Sequence, residues 1–331
     1  MTSTATVAAS IDTGRPGHLP RPRGPVSTAV ISALRGDPSQ PASLPEVPAD
    51  ADYLGHDVQL ALYLCYELHY RGFRGVDDEW EWNTEMLGLR RPLERGFLSR
   101  IKESVEPGSS ATDEMDALSV EPRAGTGPSW FLRDAGTWSQ MREYLANRSL
   151  CHLKEADPHA WAIPRLTGQA KASFVAVEYD EYGAGRVDRM HQRLYLEAMH
   201  AAGMDTGYLA YLDDASPEML AIVNVMSLFG LHRSLRGAVV GHFAATEITS
   251  SPGAARLVEA LRRLEAPEEC VHFYAEHVEA DAVHEQILRH DVVGSLIATQ
   301  PELEADIVFG MRALSFLEDR FGDALMQRWT A

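Results

Sequence analysis

Apolar residues recur along this chain at steps of three and four and almost nowhere at alternate positions. From Asp52 onward, Leu60, Leu64 and Leu68 mark one helical stripe, Tyr63, Tyr66 and Tyr70 flank it, and Gly72 follows as a stop. Further helices are predicted over 77–87 and 92–104, giving an N-terminal helical layer. After Ser129 the pattern predicts helices over 136–147, 150–156, 168–182, 185–202, 207–212, 217–249, 253–264, 268–300 and 302–328, with Ser216-Pro217 and Gln300-Pro301 as start signals. No strand alternation, internal repeat or Gly-rich phosphate loop interrupts this pattern, and Gly183-Ala-Gly185 lacks a preceding strand. The expected fold class is all-α.

Two stretches break the periodicity. Residues 1–50 are rich in Pro, Ser, Thr and Gly, a composition that buries little apolar area, so a disordered arm with one short helix near 26–35 is expected. Residues 105–128 carry clustered Gly and Pro at both ends and read as a loop or boundary. The expected organisation is therefore an arm over 1–50, a helical layer and loop over 51–128, and a main domain over 129–331.

Charge narrows the choice of partners. With 30 Lys and Arg against 48 Asp and Glu, the net charge of −18 repels phosphate backbones and argues against nucleic acid. Cys65, Cys151 and Cys270 are odd in number and widely spaced, which fits neither a disulfide scaffold nor a thiolate metal site and suggests a reducing medium. No run of 18 apolar residues and no basic leader is present, so a cytoplasmic chain with no membrane partner is expected.

Candidate chemistry begins on the helix that opens at Glu268. His277, Asp281 and His284 are spaced i, i+4, i+7 and share one helical face. Imidazole nitrogens and a carboxylate oxygen so placed converge on ions beside the helix, and their spread of roughly 10 Å suits two ions better than one. Glu247 lies in a compact, nearly uncharged segment with Val239, Val240, Phe243 and Ile248, where a carboxylate costs several kcal/mol without a partner. The alternative for Glu247 is a helix end reaching water beside Ser250. Glu155 follows Leu153-Lys154 on an otherwise apolar run. Glu181 and His191 would lie about 80° apart on an unbroken helix, but Gly183 and Gly185 permit a kink that turns both inward. Asp188 and Glu197-x-x-His200 rank lower, the first flanked by Arg186 and Arg189 and the second near a helix end at Gly203. Glu67 and His69 point about 200° apart and read as ordinary polar contacts.

Taken in order, Glu155, Glu181, His191, Glu247, His277, Asp281 and His284 resemble the ligand series of the haem-oxygenase-like diiron oxidase and oxygenase family, the iron-containing redox enzymes. The resemblance covers roughly residues 130–325 and includes Leu153-Lys-Glu-Ala-Asp-Pro-His159, Asp180-Glu-Tyr-Gly-Ala-Gly185 and the separations of 56 residues from His191 to Glu247 and 30 from Glu247 to His277. It implies a haem-oxygenase-like helical bundle holding two iron ions. His191 and His284 would serve one iron, His277 and Asp281 the other, with Glu247 bridging and Glu155 completing the set. Glu181 resembles the extra carboxylate of N-oxygenating members, which implies O2 activation through a peroxodiferric species and oxidation of an amine or amino-acid-derived nitrogen. The alternatives are cleavage or desaturation of an amino acid or fatty acid and, from another class, a non-catalytic helical scaffold. A small-molecule substrate, an external electron donor and a homodimer are implied as partners, with Phe243, Met190, Tyr195 and Tyr274 as candidate substrate-lining residues.

Overall fold

The structure is a computed structural model that describes residues 14–48 and 50–331, Glu279 by its backbone alone. The described residues form an all-α bundle with no strand, only an isolated bridge between Gly17 and Phe73. The helices are α1 (Pro25–Leu34), α2 (His56–Glu67), α3 (Thr84–Ser104), α4 (Ala111–Leu118), α5 (Pro128–Asp134), α6 (Trp138–His152), α7 (Asp157–Ala160), α8 (Gly168–Glu181), α9 (His191–Ala201), α10 (Pro217–Leu231), α11 (Arg236–Arg263), α12 (Glu268–Gln286), α13 (Ser295–Thr299) and α14 (Glu304–Thr330). A π-helical stretch, Ile287–Gly294, joins α12 to α13.

Helix α10 is the centre of the bundle, buried on every side from Met219 to Gly230. An all-round apolar helix of this kind needs covering on all faces, and α2, α11 and α14 pack around it. Helices α11 and α14 approach unusually closely because each offers a glycine: a Cβ on Gly241 would lie 1.9 Å from the Ile307 carbonyl oxygen, and one on Gly310 2.0 Å from that of Ala238. Helix α12 lies along α11, and that pair carries most of the candidate ligands.

Several boundaries differ from those the periodicity predicts. The arm expected over residues 1–50 is not disordered where it is described: α1 buries Val26, Val30, Ile31 and Leu34 and packs on α2. Each such burial contributes roughly 1.5–3 kcal/mol, and Asp57 accepts from the Val26 and Ser27 amides at 2.9 and 2.7 Å, closing the helix start. Residues 1–13 of that arm lie outside the described residues. The expected loop over 105–128 contains α4, whose N-cap Ser110 accepts from Asp113 and whose first amide donates to Glu304.

Helix α6 runs through 147–150 without a break, and Asn147 and Ser149 satisfy their side chains within it by donating to the carbonyls of Glu143 and Ala146 at 2.9 and 2.6 Å. The helix expected over 217–249 instead ends at Leu231, where Arg165 donates to the carbonyls of Trp161, Gly230 and Leu231 and takes over the role of the next helical turn. No break separates the helices expected to end at 249 and to start at 253, and Pro252 lies inside α11. The helix expected over 207–212 is a turn, with Leu209 at φ 63° and Asp205 accepting from the Gly207 amide.

Candidate metal centre

The seven predicted ligands come from five different places in the chain. Glu155 sits in the turn after α6, with Ala156 next to it at φ 70°. Glu181 is the last residue of α8 and His191 the first of α9. The chain between them reverses through three left-handed residues, Gly183, Ala184 and Gly185, at φ 69°, 52° and 79°. Only a residue without Cβ fits Gly183, where a Cβ would stand 2.6 Å from the Met190 nitrogen. Glu247 projects from the middle of α11, and His277, Asp281 and His284 line one face of α12.

These side chains meet in two adjoining groups. Ligand atoms of Glu155, His191 and His277 lie within 4.8 Å of one another, as do those of Glu181, Glu247, Asp281 and His284. Glu181 touches both: its Oε2 is 2.7 Å from His191 Nδ1 and its Oε1 3.4 Å from His284 Nδ1. This grouping differs from the pairing implied by resemblance, which joined His191 with His284 and His277 with Asp281 and put Glu247 between them. The reversal at Gly183–Gly185 brings His191 beside the N-terminal half of α12, where its ring centroid is 4.3 Å from that of His277. His284 instead falls to Glu247 at 3.1 Å.

The lower-ranked candidates stay outside. Asp188 pairs with Arg186 at the surface, Glu197 with Arg193, and His200 is exposed. The solvent-exposed alternative for Glu247 does not hold, since that side chain is buried. Ser250 donates its hydroxyl hydrogen to Asp281 Oδ2.

The donor set fits a metal. In the first group, Glu155 Oε2 and His277 Nε2 are buried without a hydrogen-bond partner, and the only close partner of His191 Nδ1 is Glu181 Oε2 at 2.7 Å. Leaving two such atoms unsatisfied side by side is costly unless something else fills the space between them. His277 is already oriented for that role: Nδ1 lies 2.7 Å from the Phe273 carbonyl oxygen, which can only accept, so Nδ1 carries the hydrogen and Nε2 faces the group. Glu155 is held in the same way by His152, whose Nδ1 donates to Oε1 at 2.9 Å.

Without a cation, protons balance the charge. Burial opposes ionisation of His284, yet Glu181 and Glu247 lift its pKa to about 11. Burial likewise opposes the His277 cation, and Glu155, Asp281 and Glu181 raise it to about 10. Burial and the Glu247 charge push Asp281 up to about 8, and burial with Glu181 pushes Glu247 up to about 7 against the pull of His284. Glu181 goes the other way: burial raises it, but His191 and His284 hold it down at about 2.

A cavity of about 540 Å³ opens onto Glu155, Glu181, Glu247, His277 and Asp281, with Phe243, Phe273, Ile222 and Met226 on its apolar side. Of the predicted lining residues, Phe243 and Tyr274 face it. Met190 and Tyr195 do not line it, and Tyr195 instead bonds the Leu145 carbonyl at 2.7 Å. Three polar features of the wall went unread in the sequence. The Arg148–Glu318 pair is bidentate, His159 Nε2 lies 3.1 Å from His242 Nδ1, and Ser250 supports Asp281. Ser250 alone left a trace, one helical turn beyond Glu247.

Comparison with known proteins decides the family. The sequence profile of the iron-containing redox enzymes matches residues 142–319, more than half the chain and all seven ligand candidates. The chain belongs to the iron-containing redox enzyme family. It is also similar to a nitrosourea synthase from Streptomyces achromogenes subsp. streptozoticus, 23% identical over 216 residues that cover 63% of this chain and 46% of that protein. The chain thus spans about half the length of this curated relative. A solved structure, a CADD-like protein of unknown function from Nostoc punctiforme, matches with a TM-score of 0.49 at 16% identity over 71% of this chain and 97% of that one. Family membership agrees with the all-α bundle expected from the resemblance and with an iron-binding role for the acidic and imidazole groups. No helix among the described residues is long and apolar enough to cross a membrane.

Proposed function

We propose that this iron-containing redox family member is a non-haem diiron oxygenase that oxidises a nitrogen of a small amine or amino-acid-derived molecule. The observation that carries this reading is Glu181, one carboxylate in contact with histidines of both ligand groups. Glu155, His191 and His277 would hold one iron, and Glu247, Asp281 and His284 the other, with Glu181 between them. Carboxylates and imidazoles in this proportion suit Fe(II) and Fe(III). When bound, the iron pair would supply the reducing power that activates O2, with further electrons drawn from an external donor.

The chain's own residues account for the rest. His152 and Ser250 hold the Glu155 and Asp281 carboxylates in place from outside the centre. Phe243, Phe273, Ile222 and Met226 give the cavity an apolar wall that keeps water from competing with a bound substrate. Burial depresses the pKa values of His159 and His242, and the neighbouring His242 lowers His159 further, leaving the pair neutral and able to donate at one nitrogen and accept at another without adding charge. The nitrogen preference rests on Glu181 and on the nitrosourea synthase relative. Action as a homodimer in the cytoplasm belongs to the same proposal, and the three free cysteines agree with a reducing medium.

The test is anaerobic titration of metal-free protein with Fe(II), followed by exposure to ¹⁸O₂ with a panel of amines, amino acids and fatty acids. Two bound iron ions and ¹⁸O on a product nitrogen are expected. Carbon–carbon cleavage or a new double bond would replace the nitrogen assignment, and a chain that takes up no iron would end the reading altogether.

A further inference from the structure

Glu155 carries a candidate ligand on the least regular backbone of the centre. Its amide reaches the His152 carbonyl only at 3.4 Å, and the next residue, Ala156, is left-handed. A ligand on such a turn needs holding from outside. The residues that hold it come from α2 and the turn following it, which lie outside the stretch that matches the family profile.

Lys154, the residue before Glu155, is 2% exposed, and its ammonium is hydrogen-bonded to Glu67, which is 0% exposed. The ammonium also lies 4.5 Å from the Tyr63 ring centroid and 4.7 Å from that of Tyr70. The second oxygen of Glu67 accepts from the Tyr208 hydroxyl at 2.7 Å, so the carboxylate cannot turn without breaking another bond. Arg71, one turn beyond Glu67, donates to the Leu153 carbonyl at 3.3 Å and to Gln192 Oε1 at 3.1 Å. Gln192 in turn donates to the Glu155 carbonyl at 2.9 Å, and its neighbour in sequence is the candidate ligand His191. The backbone at 153 and the side chain at 154 are thus tied directly to Arg71 and Glu67, and the backbone at 155 is tied to Arg71 through Gln192.

A buried ion pair is seldom worth more to folding than an apolar pair of the same size, because both charges lose their water. What it supplies is a fixed direction. We infer that Glu67 and Lys154 are positioning residues that hold Glu155 at the first metal group, so that the N-terminal extension is part of the metal centre. This rests on the reading of Glu155 as an iron ligand.

The experiment compares anaerobic Fe(II) binding by the full-length chain and its Glu67→Gln variant, with melting of the metal-free forms measured alongside. Glu94→Gln is the control. Glu94 is another buried carboxylate of the extension, paired with Arg90 at 3.1 Å and lying 3.1 Å from His232, with no contact to the ligand groups. The expected result is that Glu67→Gln keeps one tight iron and weakens the other by about 10- to 100-fold, while Glu94→Gln lowers the melting temperature but keeps both. Should Glu67→Gln fail to fold, the double variant Glu67→Gln/Lys154→Met removes both charges together and is expected to show the same selective loss. Binding of both ions as in the parent chain, or loss only in proportion to the unfolded fraction, overturns the inference. A parent chain that binds no iron overturns the reading of Glu155 instead.

Discussion

Glu181 and His191 stand ten residues apart in sequence, yet Glu181 Oε2 lies 2.7 Å from His191 Nδ1. The contact exists because α8 stops at Glu181 and α9 starts at His191, with a left-handed reversal between them. Glu181 also faces His284 with its other oxygen. Glu181→Gln keeps the shape but loses the charge shared by both groups. Iron stoichiometry is expected to fall from two toward one, with the remaining affinity reduced by about 100-fold or more. Anaerobic titration followed by colorimetric iron analysis measures this, and two tightly held ions in the variant would refute the bridging role.

The reversal itself can be tested at Gly183. A Cβ there meets the Met190 nitrogen at 2.6 Å in a conformation that disfavours L-residues. Gly183→Ala should destabilise the chain by about 1–2 kcal/mol and displace Glu181 from His191. Melting followed by circular dichroism, together with iron content, checks both effects. An unchanged melting point with full iron would show that the reversal is not strained by a side chain.

Protons and metal compete for the same atoms. His277, His284 and Asp281, at about 10, about 11 and about 8, each hold a proton at neutral pH in the metal-free chain, and Glu247 at about 7 holds one part of the time. Each raised group must give up its proton to bind iron, so affinity rises with pH, and about three or more protons are released near pH 7. Proton release falls as pH climbs past the Glu247 and Asp281 values. Calorimetry in buffers of different ionisation enthalpy counts these protons, and an affinity independent of pH would contradict the assignment.

Ser250 gives a gentler probe. Ser250→Ala removes the hydroxyl that donates to Asp281 Oδ2. The loss in folding stability should be about 1 kcal/mol, while affinity at the second group drops by about 10-fold. An affinity loss no larger than that of Thr249→Ala, whose hydroxyl bonds only the Ala245 carbonyl, would remove Ser250 from the centre.

Chelation should lower stability. A ligand present at 100 times its Kd adds about 2.7 kcal/mol to the folded state. Stripping the iron is therefore expected to lower the melting temperature by several degrees, with the loss restored by Fe(II). Identical melting curves with and without chelator would favour a scaffold that binds no metal.

The sequence by itself determined a good deal. Helical periodicity gave the all-α class. The i, i+4, i+7 spacing on α12 placed His277, Asp281 and His284 on one face, since that depends only on helix geometry. The mismatch between Glu247 and its apolar surroundings marked it as needing a partner. Gly183 and Gly185 announced that the chain could turn there, because few other residues tolerate a positive φ.

Which candidate side chain meets which is visible only in three dimensions. His191 joins His277 rather than His284 because the direction of the reversal, and not its existence, decides which half of α12 it reaches. The break after Leu231 depends on Arg165, which is remote in sequence and covers the last carbonyls of α10. The same holds for Glu67, whose pattern suggested an ordinary polar contact and whose partner, Lys154, lies 87 residues away. Local propensity fixes what one helix can present, whereas burial between helices decides which of those groups must find each other.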